Sequence, residues 1–330
     1  MKKNIAIVAG GDSSEIVVSL KSAQGIVSFI DQEKYQTYIV RMEGQQWLCQ
    51  VGETEVPIDR QDFSFNDEGK KVTFDCAYIT IHGTPGENGL LQGYFEMINM
   101  PYTTCNVLVS ALSFNKFACN HYLKGFGINV AESLVIRQGM QADADAIVER
   151  IALPCFVKPN AGGSSFGVSK VKDKAALLPA IEKALKESDE VIVEALIDGI
   201  EVTNGIYKTA EKSVVLPVTE VLPHNDFFDF EAKYVQGKAE EITPARIPDE
   251  LTARIKALTS AVYDILGCHG LVRIDYIIQD GDIYLLEVNT TPGMTATSFI
   301  PQQIKAEGLP IAEVFTDVIE DAIQRMKKKV

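Results

Sequence analysis

"LVRIDYIIQDGDIYLLEVN", residues 271 to 289, alternates along most of its length. Even positions hold Val272, Ile274, Tyr276, Ile278, Tyr284, Leu286 and Val288, while Arg273, Asp275, Glu287 and Asn289 are odd. A period of two belongs to a β-strand, and Asp280-Gly281 marks a turn, so the stretch reads as a hairpin. A two-residue turn pairs odd positions with even ones and splits Asp275 from Glu287. A three-residue loop with Gly281 left-handed and a bulge pairs odd with odd. The second arrangement is expected. It gathers two carboxylates and an amide oxygen on one face, a hard-oxygen set suited to Mg²⁺. The competing reading is a solvated sheet face with incidental charges. "EVNTTPGMT" then ends the strand in a Pro-Gly turn at the mouth of a cleft.

Upstream, "LPCFVKPNAGGSSFGVSKV" places two strands around a loop of small residues, 158–167. Backbone amides with the Ser164 and Ser165 hydroxyls can donate to phosphate oxygens there. No Gly-Lys-Ser/Thr follows, so this is not a Walker A loop. A plain hairpin turn is the bland alternative, but Lys158 ends an apolar run, and a half-buried ammonium requires an anion. A helix (174–188) and the strand "EVIVEAL" follow, with Glu194 at the strand end and Glu201 seven residues later. Ahead of the loop, "VLVSALSFNKFACNHYLKGFGI" reads as one helix. Beyond it come the strand "GIEVTNGIY", a Pro/Asn/Asp/Phe-rich segment at 222–238, a helix at 248–267 and a last helix ending in lysines.

The N-terminal part has a different pattern. "NIAIVAG", "YQTYIV" and "DCAYITIHG" read as strands and "SSEIVVSLKSAQGIVSFI" as a helix, which indicates a parallel α/β unit. The stretch between the second and third of these strands reads as irregular and acidic. Gly10-Gly11 and His82-Gly83 fall at strand C-termini, where function concentrates in such sheets. In "VAGGDSSEIVVSL" Asp12 is placed to cap the helix, with Glu15 three residues on as a capping-box partner.

The 330 residues allow two or three domains, and an apolar content of 46% is ordinary for a globular protein. A net charge of −14 argues against nucleic acid and against anionic membrane surfaces. Six scattered cysteines without a C-x-x-C pair read as buried thiols, and the histidines lack metal-site spacing. No leader pattern or long apolar run is present, so a cytoplasmic protein is expected.

Together, "GGDSSEIVVSL", "IHGTPGENGLLQG", "KPNAGGSSFGVSKV", "FDFEAKY", "GLVRIDY" and "LLEVNTTPGMTATSFIP" are similar, in order and combination, to the D-alanine–D-alanine ligase family of ATP-grasp carboxylate–amine ligases. The resemblance covers nearly the whole chain. It implies a three-domain α/β ATP-grasp fold: an N-terminal parallel, Rossmann-like domain (1–105), a central subdomain (106–195) and a C-terminal one (196–330) with a lid at 222–238. It implies Lys116 and Lys158 on ATP phosphates, covered by the 163–167 loop with Gly163 and Ser165, and Lys233 also at ATP. Glu194, Ala195 and Ile197 border the adenine, and Glu201 meets the ribose. Asp275, Glu287 and Asn289 match ligands for two Mg²⁺ ions, for which Mn²⁺ can substitute.

The implied reaction joins two D-alanines through an acyl phosphate. Arg273, with amides near Gly293, stabilises the oxyanion; His82 lies near the first D-alanine carboxylate and Ser298 holds the second. Glu15 binds the first ammonium and joins Ser164 and Tyr234, and the Lys233-Tyr234 pair points to D-alanine as second substrate. A homodimer follows from the same analogy. Departures are Ile16 in the first motif, Thr297 where a histidine is familiar, and Asn160-Ala161-Gly162 in a loop often more charged. Two rivals remain at this level: a ligase for another amino-acid or hydroxy-acid pair, and a nucleotide-binding protein of this fold without turnover.

Overall fold

The computed structural model describes residues 2–13, 15–163, 167–223 and 239–329. The chain builds three sheets in succession. The first is ordered β6-β5-β4-β3-β2-β1-β7, with β1 (Lys3–Gly10), β2 (Tyr35–Glu43), β3 (Gln46–Val51), β4 (Thr54–Asp59), β5 (Ser64–Asp67), β6 (Lys70–Val72) and β7 (Cys76–Ile79). β1 runs parallel to β2 and β7 and is buried from Ile5 to Gly10, as a central parallel strand must be. Helix α1 (Ile16–Phe29) buries Ser19, Ser22, Ala23 and Ile26, a narrow stripe that lets it approach the sheet. Ser19 Oγ donates to Thr80 O at 2.7 Å and accepts from Gly10 N at 2.9 Å. α2 (Leu90–Met97) packs Leu91 and Phe95 among Phe63, Phe65 and Phe74.

The stretch expected to be irregular is instead an antiparallel meander, β3 to β6. Its strands are short and mostly charged on their outer side, which dilutes the alternation, but Gly44, Gly52 and Gly69 all take positive φ at the turns.

The expected single helix is two, α3 (Val107–Phe114) and α4 (Lys116–Lys124), broken at Asn115. Asn115 is extended (φ −90°, ψ 97°), and its side chain caps α4 by accepting from Ala118 N at 2.9 Å. The break makes Lys116 the first residue of α4. The second sheet is antiparallel, ordered β10-β9-β11-β8. It comprises β8 (Ser133–Arg137), β9 (Cys155–Pro159), β10 (Ser169–Val171) and β11 (Glu190–Ala195), backed by α5 (Ala144–Ile151) and α6 (Leu177–Ala184).

The third sheet, β14-β13-β12-β15-β16, is also antiparallel. It holds β12 (Ile200–Lys208), β13 (Ser213–Pro223), β14 (Ala239–Ile242), β15 (Val272–Gln279) and β16 (Asp282–Asn289). α7 (Asp249–Leu266) covers one face with α3 and α4. α8 (Phe299–Ala306) and α9 (Ile311–Lys329) join the other face to α1 and β1 in one core. Lys3 Nζ and Glu320 pair at 2.5 Å, fastening α9 to the first strand. All six cysteines are buried and unpaired by disulfides. Among the described residues no helix is long and apolar enough to cross a membrane.

The hairpin β15–β16 closes differently from expectation. Gln279 pairs with Asp282, and Asp280 (φ 51°) with Gly281 (φ 85°) forms a two-residue turn whose left-handed pair favours glycine at the second position. The bulge lies further along, where Asp275 pairs Glu287 while Tyr276 pairs Leu285, so Leu286 is the extra residue. Odd therefore meets odd at the polar end, as expected, through a different device. Beyond the turn the phase is reversed: Ile283 and Leu285 enter the core, and Tyr284 and Leu286 do not.

Candidate active site

A cleft of about 760 Å³ opens between the second and third sheets and reaches the loops after β1 and β7. β9 presents Phe156 and Lys158 to it, two residues apart on one face. Lys158 Nζ meets Glu194 Oε1 of β11 at 2.5 Å, with both side chains largely buried. Ala195, Leu196 and Ile197 line the crossing to β12, and Glu201 follows on that strand. Ile277 and Leu286 add apolar surface from the third sheet. Phe156, Ile277 and Leu286 were not among the expected site residues. Their signal was period-two phase with Lys158, Asp275 and Glu287, and for Leu286 the bulge concealed it.

Lys116 Nζ donates to Gly162 O at 2.6 Å and lies 3.6 Å from Glu287 Oε2. Its position depends on a buried hub missed in the sequence. Asn160 accepts from Phe117 N at 2.8 Å and donates to Asn115 Oδ1 at 2.9 Å and to Glu190 Oε2 at 2.8 Å. The Asn160 amide group holds Glu190 below the usual carboxylate range, with burial opposing and Arg137 assisting.

Asp275 is held by four side-chain hydrogen bonds. Arg273 grips it with Nε at 2.9 Å and Nη2 at 2.8 Å; Asn289 Nδ2 donates at 3.0 Å and Thr203 Oγ1 at 2.5 Å. The guanidinium lies 5.3 Å from the centre of the Phe299 ring, a cation–π distance. Asp275, Glu287 and Asn289 thus come together on one face, although Asn289 does not line the cleft itself.

The capping box at α1 does not form. The helix begins at Ile16 with Glu15 at the cap position, and the Glu15 side chain makes no cap bond. Asp12 Oδ1 instead accepts from Gly44 N at 2.7 Å. The Glu15 carboxylate turns into the cleft against Gly163, where a Cβ would come within 2.5 Å of Oε2. His82 is buried behind it, held below the ordinary imidazole value by burial, with Glu15 opposing and Arg273 adding to the depression. Glu87, whose carboxylate accepts from Gly83 N at 2.7 Å, is pushed up to about 8 by burial and by Glu15.

His82, Gly293 and Ser298 sit beside the cleft rather than lining it. Ser298 Oγ accepts from Thr295 N at 3.1 Å and shares a hydrogen bond with Thr295 Oγ1 at 2.8 Å; a Cβ on Gly293 would lie 3.0 Å from the same Oγ. Ser164, Ser165, Lys233 and Tyr234 lie outside the described residues, as does the expected lid from 224 onward.

The sequence matches two family models, described as D-ala D-ala ligase N-terminus over residues 4–105 and D-ala D-ala ligase C-terminus over 122–320. The chain belongs to the D-alanine–D-alanine ligase family. A D-alanine–D-alanine ligase of Phocaeicola vulgatus is 62% identical over 323 residues, 97% of this chain and 99% of that protein. The crystal structure of a D-Ala:D-Ser ligase from Enterococcus faecalis superposes with a TM-score of 0.87 at 31% identity, covering 98% of this chain and 100% of that one. That of the D-alanine–D-alanine ligase of Bacillus anthracis complexed with ATP gives 0.78 at 26%, covering 99% and 100%. The fold is thus the ATP-grasp fold of this ligase family, with the cleft between its two antiparallel sheets.

Proposed function

We propose that this chain uses ATP to join two D-alanines into D-alanyl-D-alanine for peptidoglycan precursors, releasing ADP and phosphate. The observation that carries the reading is the facing of Lys158 and Lys116 with Asp275 and Glu287 across one cleft, in a chain so close to ligases of that name. The division into 1–105, 106–195 and 196–330 is part of the same proposal, supported by the succession of three sheets.

The adenine enters the slot of Phe156, Ile277 and Leu286, bordered by Glu194, Ala195 and Ile197, with Glu201 on the ribose. Lys116, Lys158 and Lys233 neutralise the phosphates, and Gly163 and Ser165 belong to the loop that covers them. Asp275, Glu287 and Asn289 are hard-oxygen donors on one face, with no thiol among them, and fit Mg²⁺. Bound there, the metal would supply neutralisation of phosphoryl charge. The carboxylate of the first D-alanine, its ammonium on Glu15 and its carboxyl end near His82, attacks the γ-phosphate. The amine of the second, held by Ser298, then attacks the acyl phosphate. Arg273 and the Gly293 amide receive the oxyanion, and Ser164 and Tyr234 complete the set around Glu15. Positioning and electrostatics supply the acceleration, so no protein nucleophile is needed. The enzyme works as a cytoplasmic homodimer.

Phosphate release with D-alanine, D-serine or D-lactate as second substrate tests the reading. D-Alanine should be fastest at neutral pH, and a faster D-serine or D-lactate would refute the assignment. Binding of ATP without ADP formation in the presence of D-alanine and Mg²⁺ would favour a non-catalytic nucleotide-binding protein.

A further inference from the structure

The turn that carries Ser298 is fastened from outside by a side chain of α8. Gln302 Nε2 donates to Thr297 O at 2.6 Å and to Glu241 Oε2 of β14 at 2.8 Å. A primary amide has two N–H donors, and here one group serves both acceptors. Glu241 pairs across the ladder with Val221, which lines the cleft, so its carboxylate lies on the cleft side of the sheet. Burial raises the Glu241 carboxyl, while Gln302 and then Arg273 oppose the rise. Next along α8, fully buried Gln303 accepts from Gly205 N at 3.0 Å and donates to Thr203 O at 3.1 Å and to Thr219 Oγ1 at 3.0 Å. Gln303 thus anchors the helix to the sheet, which leaves Gln302 to set the turn at its head. Within that turn Ser298 N donates to Thr295 O at 2.9 Å, and the Ser298 hydroxyl is fixed by Thr295.

We propose that Gln302 and Glu241 are positioning residues for the second amino acid: their bond holds the Thr297 carbonyl and so sets where Ser298 meets the incoming carboxylate. This rests on the reading of Ser298 given above. The clamp bonds the Thr297 carbonyl, next to Ser298, so its loss should act chiefly on the second amino acid. A methionine at 302 keeps length and loses both donors. A glutamine at 241 keeps an acceptor oxygen for Gln302.

The full-length enzyme tests this through separate KM values for ATP and for the first and second D-alanine. Gln302→Met should raise the KM of the second D-alanine about tenfold, the expected scale for a hydrogen bond to a charged group. The other two KM values should stay within about twofold, and the preference for D-alanine over D-serine should fall. Glu241→Ala should reproduce this pattern, and Glu241→Gln should recover most of the loss. Amide exchange of the 293–300 segment, read without any substrate, should quicken about tenfold in Gln302→Met on the same scale. An unchanged KM for the second D-alanine, or an equal rise for all three substrates, overturns the clamp. If the wild-type chain makes no dipeptide, the functional reading fails by itself, and unaltered exchange at 293–300 then decides against the clamp.

Discussion

Asp275 lies directly across the ladder from Glu287, and Leu286 is the extra residue between Leu285 and Glu287. The tight turn at Asp280-Gly281 would, in an unbroken ladder, set Asp275 opposite Leu286 and send Glu287 to the far face. The bulge restores Glu287 and at the same time turns Leu286 into the cleft, at the slot proposed for the nucleotide. Its carbonyl is not stranded, because Asn120 Nδ2 of α4 donates to it at 3.3 Å.

Leu286→Ala should therefore act on ATP rather than on metal. Removing most of an apolar side chain from a slot wall costs about 1.5–3 kcal/mol, so the KM for ATP should rise roughly tenfold or more. The Mg²⁺ concentration for half-maximal rate should not move, since Asp275 and Glu287 keep their register. Initial rates at varied ATP and varied Mg²⁺ separate the two effects, and a shift confined to Mg²⁺ would contradict the assignment.

Gly25 stands in the middle of α1, where alanine is ordinarily better by about 1 kcal/mol. The preference is reversed here, because a Cβ at Gly25 would sit 2.3 Å from the backbone oxygen of Met294. α1 also holds that turn through Met294 N, which donates to Ser22 Oγ at 3.2 Å. Gly25→Ala should lower stability by about 1–3 kcal/mol, the usual cost of overpacking, and reduce kcat by displacing Gly293. Denaturant melts and turnover measured together check both. A stabilised, fully active variant would show that the turn yields.

Glu87 carries a pH signature. Its carboxyl is raised to about 8, first by burial and then by Glu15, against an ordinary 4.5. Between those values the native state binds a proton that the unfolded chain has released, so stability falls as pH rises toward 8. Below the ordinary value both states are protonated and the effect vanishes. Glu87→Gln keeps an acceptor for Gly83 N and cannot ionise. It should match the wild type near pH 4 and exceed it by on the order of 1–3 kcal/mol at pH 9. Equal pH slopes for the two proteins would refute this.

What could be read in the sequence was what rests on local periodicity. The β1–α1 unit, the hairpin at 271–289 and the lysine after "LPCFV" all declare themselves within a few residues. The meander of β3 to β6 was hidden because its strands are short and charged, so their turns spoke more clearly than they did. Asn115 looked like one more helical residue because helix-like sequence continues on both sides of it, although its side chain acts as a local cap for Ala118 N. Phe156 and Leu286 look like any core residues until the opposing sheet supplies the cleft. The phase of β16 depends on a bulge that no residue type marks.

Glu15 stands at the cap position of α1. A cap would bond its side chain to the first turn of α1, and Glu15 makes no such bond; its carboxylate stands against Gly163 in the cleft, beside His82. In the proposed role as partner of the first D-alanine ammonium it would contribute a charge-assisted interaction, worth about 1.5–3 kcal/mol. Glu15→Gln should thus lower kcat/KM for the first D-alanine roughly 10- to 100-fold while leaving the KM for ATP close to its starting value. The stability change should be smaller than the ~1 kcal/mol that loss of a helix cap brings. Kinetics with each substrate limiting in turn, set beside a denaturant melt, distinguish the two roles. Retained activity with a loss of about 1 kcal/mol would return Glu15 to the helix end.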